Sequence, residues 1–351
     1  MCVSPVRIKN PNYGSKVPLI VRTKDTKSQY INVPCNVCSE CLASRQMQLV
    51  QRARTMALDH YIFYCTLTYD NEHLPRLGLS TGVSIPYADI SDVQRMIKRI
   101  RKDNLFFRPF KFLFVSERGS ERGRPHFHGL FFIDKYLDDD KLYPAMVEPS
   151  LRKVLFSQWA RNVGTRKNPI YEPLFKFRQK YVGGKLFKNF DFHYVTPHTT
   201  ENGSDDVSFY VTKYLLKPSS KEIRLQQALS LNLDIDEYNS AWKIVKSKML
   251  CSKEFGYATE LEKSHIQIGL ELSRKDNTGL KYYCQNGNSQ PLARYYRKFV
   301  PFEIASDSVD AIGSPIYDDD RTISEKLKSL EKGSIIREKI QNRDALDCLN
   351  D

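Results

Sequence analysis

Four short apolar runs with the two-residue period of β-strands, interleaved with amphipathic helical segments, constrain this chain more than any other feature. The runs are YIFYCTLTY (61–69), FKFLFVSE (110–117), PHFHGLFFID (125–134) and FDFHYVT (190–196), rich in aromatic and β-branched residues. SDVQRMIKRIRKD (91–103) reads as a capped helix with Val93, Ile97 and Ile100 inward and a basic outer face, and SLRKVLFSQWARNV (150–163) as a second helix. Two glycines within residues 118–124 mark a hairpin between the second and third strands. A third helix is expected over SDDVSFYVTKYLLK (204–217), capped by Ser204 or Asp205. The order β-α-β-β-α-β plus one helix predicts an α+β domain built as a ferredoxin-like, split-βαβ antiparallel sheet with helices on one face.

That domain is expected over residues 59–218. Before it, residues 1–58 form an N-terminal arm, irregular to residue 34, then cysteine-rich, then helical from Ser39 to about His60. Leu42, Gln46, Leu49, Ala53, Met56 and Ala57 line one face of that helix. Residues 219–302 read as an extension, helical near 221–249 and mixed beyond. Residues 303–351 read as an acidic, mobile tail with a charged helix near 322–341. The chain has 351 residues and a net charge of +13, with −5 on residues 303–351 and therefore +18 on the rest. A basic body rich in Tyr and Phe suits a polyanion whose bases stack on rings; solvated lysines are the alternative. The start lacks the apolar core of a signal peptide, and no 18-residue apolar run exists. A cytosolic location follows, where eight cysteines are thiols or metal ligands rather than disulfides.

Three groups of residues carry chemistry. His126 and His128 stand two apart on one strand, so both rings leave the same face while Phe127 takes the other. They can chelate one divalent cation, and a hairpin can return Glu117 beside them as an oxygen ligand. Two histidines and one carboxylate leave coordination positions open, as a catalytic metal requires; two histidines hydrogen-bonded within a sheet are the alternative. The segment YVTKYLLK repeats a Tyr-x-x-Lys unit, Tyr210 with Lys213 and Tyr214 with Lys217. Helical spacing puts both phenols on one face one turn apart, where a phenol can attack phosphorus and store the bond energy as a phosphodiester. The alternative is two interfacial tyrosines on an amphipathic helix. Cys35, Cys38 and Cys41 have C-x2-C-x2-C spacing, which suits zinc, an iron–sulfur cluster or plain thiols. PLARYYRKF interleaves Arg294 and Arg297 with Tyr295 and Tyr296, as a nucleic-acid contact would, or as rings packed on the body would. His193, on the fourth strand, reads as a core histidine.

In this order the pieces resemble the HUH endonuclease superfamily, and within it the rolling-circle replication initiators of small single-stranded DNA phages (Microviridae, gokushovirus-like). RPHFHGLFF and YVTKYLLK match the superfamily; MCVSP, VPCNVCSEC, CTLTYDNEHLP and PLARYYRKF point to the phage branch. The resemblance implies an HUH endonuclease fold and a nickase acting on single-stranded origin DNA. His126 and His128 become ligands of Mg or Mn with Glu117 as the third, and Tyr210 and Tyr214 become nucleophiles with Lys213 and Lys217 as phosphate or tyrosine partners. The product is a 5′-phosphotyrosyl intermediate with a free 3′-OH primer, later rejoined. Thr66, Thr68 and Tyr69 fall in the first motif, which positions DNA or supports the fold. Cys2 becomes the candidate fourth zinc ligand, since the family also begins with Met-Cys. Implied partners are the DNA origin and the host helicase and polymerase, in the cytoplasm of the bacterial host, with no membrane. A plasmid relaxase or single-strand transposase of the same superfamily is the rival enzyme. A non-catalytic zinc-containing single-stranded DNA-binding protein is the rival outside enzymes.

Overall fold

The computed structural model describes residues 5–10, 13–14, 29–33, 35, 39–119, 122–136, 142–195, 220–253, 255–257, 281–283, 289–293 and 295–296. The chain divides into two compact units. The first takes in Met1–Ala43, Leu270–Lys281 and Val300–Asp351. In it β1 (Val6–Lys9) pairs antiparallel with β2 (Tyr30–Val33), so part of the arm expected to be irregular is a two-stranded ribbon.

The second unit, Ser44–Gly269 with Tyr282–Phe299, is an α+β domain around one five-stranded antiparallel sheet. Its elements follow α1 (Ser39–Asp59), which begins in the first unit: β3 (His60–Leu67), the hairpin β4 (Arg76–Gly78) and β5 (Ser84–Pro86), and α2 (Ile90–Lys102). Next come β6 (Phe110–Arg118), β7 (Pro125–Asp134), α3 (Tyr143–Gln158), β8 (Ala160–Asn162) and β9 (Tyr171–Pro173). The hairpin β10 (Gln179–Val182) and β11 (Lys185–Lys188) then leads into β12 (Asp191–Val195). Two further helices, α4 (Ser220–Asn232) and α5 (Ile235–Val245), precede β13 (Met249–Cys251). The sheet order is β12-β3-β7-β6-β13, so the four strands expected from sequence are neighbours and a fifth joins beside β6.

Alternation along the strands sorts two cores. Phe63, Cys65, Leu67, Phe114, Phe127 and Phe131 face α2 and α3, meeting Val93, Ile97, Ile100, Leu155 and Trp159. Ile62, Tyr64, Leu113, Val115, Leu130 and Phe132 face the other way, onto Leu49, Ala53 and Met56 of α1. The expectation of helices on one face therefore needs correction, because α1 carries its own apolar stripe and covers the second face. Gly129 is required between these layers: a Cβ there would stand 2.2 Å from the ring of Phe114, its cross-strand partner.

The helix expected over 150–163 lies earlier, at Tyr143–Gln158, and runs through Pro149. At Trp159 the chain leaves the helix, the indole Nε1 donates to the Thr68 carbonyl, and β8 begins. The helix expected near 221–249 is two helices, split where the Asp234 carboxylate caps the second by accepting from the amides of Asp236 and Glu237. Among the described residues no helix is long and apolar enough to cross a membrane.

Candidate metal centre

β6 and β7 pair with Glu117 opposite His126 and Val115 opposite His128, while β3 puts Thr66 on the other side of His128. Directly paired residues share a face, and so do residues two apart. Glu117, His126, His128, Thr66 and Tyr64 therefore lie together on the α1 face of the sheet. His126 Nε2 and His128 Nε2 stand 3.0 Å apart, and Glu117 Oε2 lies 2.9 Å from His128 Nε2 and 3.8 Å from His126 Nε2. Among the described residues these three form the one cluster of metal-ligating groups, all within 4.8 Å of each other. Neighbouring ligand atoms on an ion at about 2.1 Å are themselves about 3 Å apart, so the spacing fits one small divalent cation.

The other ring nitrogens set the direction of the imidazoles. A carbonyl oxygen only accepts, so the 3.0 Å contact from His126 Nδ1 to the Arg124 carbonyl fixes the proton on Nδ1 and turns the Nε2 lone pair into the cluster. Arg124 is itself anchored, its guanidinium donating to the Tyr69 carbonyl and, at 2.7 Å, to Asn71 Oδ1. His128 Nδ1 lies 2.5 Å from the Tyr64 hydroxyl, which is 3.0 Å from Thr66 Oγ1. A phenol hydroxyl both donates and accepts, so Tyr64 can hold His128 in the tautomer whose Nε2 lone pair can face a cation. Burial, and then the adjacent His128, lower the pKa of His126, which favours the neutral, ligating imidazole.

Two strands away, His193 is not a core residue. It is half exposed, its Nδ1 2.8 Å from Asp191 Oδ1, and that hydrogen bond raises its pKa. Its ring packs on Tyr64, which lies opposite it across β12 and β3.

The remaining sequence candidates fall in different places. Tyr69 is fully buried against Trp159 and Phe127, its hydroxyl 3.2 Å from Asp92 Oδ2, with burial and the Asp92 charge pushing its pKa well up. It supports the fold and presents no face for a base, which corrects its assignment to DNA. Thr68 is half-buried, its carbonyl taken by Trp159. Tyr296 is buried, while Tyr295 is half-buried beneath the Arg52 guanidinium, 4.4 Å from the ring centroid. The ring-packing alternative thus holds for Tyr296. Cys35 and Cys41 bring their sulfurs within 3.9 Å. Cys2, Cys38, Tyr210, Lys213, Tyr214, Lys217, Arg294 and Arg297 lie outside the described residues, as does the expected helix over 204–217. Sequence reasoning missed Tyr64 and Arg124; the signal for Tyr64 was its phase, two residues before Thr66 on the strand beside the histidines.

Residues 62–219 match the family model for replication-associated protein ORF2, a span that contains the whole cluster. The chain resembles the phage replication-associated proteins. It is 35% identical over 115 residues to replication-associated protein ORF4 of Chlamydia phage 1, covering 32% of this chain and 27% of that protein. It is 27% identical over 161 residues to replication-associated protein ORF2 of Spiroplasma virus 4, covering 40% and 49%. The chain thus spans less than half the length of each of these relatives. No solved structure matches it.

Proposed function

We propose that the chain initiates rolling-circle replication of a small single-stranded DNA phage by metal-dependent nicking of single-stranded origin DNA. The observation that carries this reading is the convergence of Glu117, His126 and His128, rings held from behind, inside the segment that matches replication-associated proteins. The HUH plan is supported by the strand order β12-β3-β7-β6 with α2 and α3 on the crossovers. A bound Mg²⁺ or Mn²⁺ would supply positive charge at the scissile phosphate. Glu117, His126 and His128 would hold it and leave positions open for phosphate oxygens.

Tyr210 or Tyr214 is the nucleophile. Its phenolic oxygen bonds to phosphorus as the P–O3′ bond breaks, and the 3′-oxygen ends with a proton as the free primer hydroxyl. The 5′-phosphate stays on the tyrosine, so no phosphodiester energy is lost and the reverse attack by a 3′-OH rejoins the strand. Lys213 and Lys217 steady the phenolate or the phosphate charge. Cys35, Cys38 and Cys41, with Cys2 as the fourth ligand, hold a structural zinc. Thiolates at about 2.3 Å on a tetrahedral zinc lie about 3.8 Å apart, which the 3.9 Å sulfur separation of Cys35 and Cys41 supports.

The test is incubation with Mg²⁺ or Mn²⁺ and end-labelled single-stranded origin DNA, read by denaturing electrophoresis. A label shifted to the size of a protein–DNA adduct and abolished by chelator is the expected result. DNA binding with no cut strand under any divalent metal overturns the enzyme reading.

A further inference from the structure

The β10–β11 ribbon has no place in the chemistry above, yet it is built for contact. Its strands pair through Gln179↔Lys188, Lys180↔Phe187, Tyr181↔Leu186 and Val182↔Lys185, joined by Gly183-Gly184 at φ +56° and +77°. Two positive φ values in a two-residue turn give the tight, twist-matched hairpin that glycine permits. Every residue from 178 to 189 is exposed, and Tyr181 and Phe187 are 74% and 51% accessible. A lone two-stranded ribbon is marginally stable in water, and apolar rings held in solvent call for a partner.

The base of the ribbon is rigid where the tip is bare. Phe177 stacks on Phe156 of α3 with centroids 3.6 Å apart and planes 6° from parallel. Asn189 ties the two strands together, its Oδ1 accepting from the Arg178 amide at 2.7 Å and its Nδ2 donating to the Lys176 carbonyl at 2.9 Å. Between Glu172 and Asp191 the chain carries five basic side chains and no acidic one. Each face of the ribbon offers one ring beside lysine: Tyr181 shares a face with Lys188, and Phe187 lies directly opposite Lys180. The ribbon ends next to the metal centre, because Asp191, three residues past Lys188, pairs with Thr66, which pairs with His128. Two strand spacings, about 10 Å, therefore separate its root from the histidine.

We propose that residues 179–188 form a clamp for single-stranded DNA beside the metal centre, with Tyr181 and Phe187 stacking on unpaired bases and Lys180, Lys185 and Lys188 on phosphates. Bases in a duplex hide their faces, whereas a single strand offers them to rings on both sides of a thin ribbon. The inference rests on the reading of DNA as substrate and adds where the strand runs.

The test uses the full chain and three probes: fluorescein-labelled oligothymidylate, a mixed-sequence duplex, and Mn²⁺ alone. Y181A/F187A should weaken oligothymidylate binding at least about tenfold. K180Q/K185Q/K188Q should lower the slope of log affinity against log salt by about 2, at about 0.7 per lost phosphate contact. Both should leave duplex binding less affected and Mn²⁺ binding unchanged. Wild-type binding to oligothymidylate unaltered by the variants overturns the clamp and leaves the nickase reading standing; so does a loss confined to the duplex, or a change in self-association alone. A wild-type chain that takes up Mn²⁺ but binds no DNA sinks both.

Discussion

A single hydroxyl decides how His128 points. Tyr64→Phe keeps the ring stacked against His128 and His193 but removes the oxygen that holds Nδ1. Losing such a supporting hydrogen bond costs about 10–100-fold in metal affinity, so a Mn²⁺ titration should weaken by that factor while the thermal midpoint moves little. An unchanged affinity would make Tyr64 a packing residue only. His126→Ala and His128→Ala should each abolish nicking with the circular dichroism spectrum retained, because neither ring belongs to an apolar core cluster. Glu117→Ala should weaken metal binding less completely, and chelation should stop nicking until Mg²⁺ or Mn²⁺ is restored. Gly129→Ala acts differently, since its methyl would collide with the Phe114 ring. Overpacking of this kind costs about 1–3 kcal/mol, measurable as a lower urea midpoint. The ligand set was legible in sequence because period two puts His126 and His128 on one face by arithmetic. Tyr64 was not, because a tyrosine in an aromatic strand looks like any core ring, and Tyr69 was misassigned to DNA for the converse reason.

Elements whose pattern is set by burial on both faces were legible almost to the residue. PHFHGLFFID is β7 at Pro125–Asp134, and α2 begins one residue before its expected start, with Asp89 as the cap that accepts from the Ser91 amide. The ribbons β4–β5, β8–β9 and β10–β11 were not seen, since strands of three or four residues with exposed side chains carry no period to read. Pro149 also misled, because a proline is tolerated inside a helix whose packing outweighs one lost hydrogen bond. What joins these elements is Asp92, fully buried at the start of α2. Its carboxylate accepts from Arg95 at 2.6 Å, from Arg161 of β8 at 2.7 Å and from the Tyr69 hydroxyl at 3.2 Å. Both arginines are partly exposed and can turn to water, whereas the Tyr69 hydroxyl cannot. Asp92→Ala should therefore cost about 1–3 kcal/mol, mainly from the stranded hydroxyl, and Asp92→Asn less. Denaturant unfolding separates them; equal losses would mean that charge, not hydrogen bonding, is what the site supplies.

At the scale of the whole molecule, the two proposed metals should separate cleanly. Cys35→Ser, Cys38→Ser or Cys41→Ser should lower stability more than nicking, because a structural zinc contributes folding energy directly; zinc and iron contents near zero would leave plain thiols. The paired tyrosines answer a different demand. Rolling-circle replication cuts once to start and again, a genome later, to release and close the displaced strand. After the first cut one tyrosine is joined to a 5′-phosphate and cannot attack again. A second phenol one helical turn away, about 5.4 Å along the axis, can reach the same phosphate position with a small shift, so Tyr210 and Tyr214 can alternate, each with its own lysine. Tyr210→Phe and Tyr214→Phe should each retain some cleavage of a short oligonucleotide and each block repeated strand release, and the double variant should form no covalent adduct. The readout is adduct formation beside the yield of closed circles over many rounds. A single variant that cuts and circularises like the wild type would leave the enzyme with one nucleophile and the other tyrosine with a structural role.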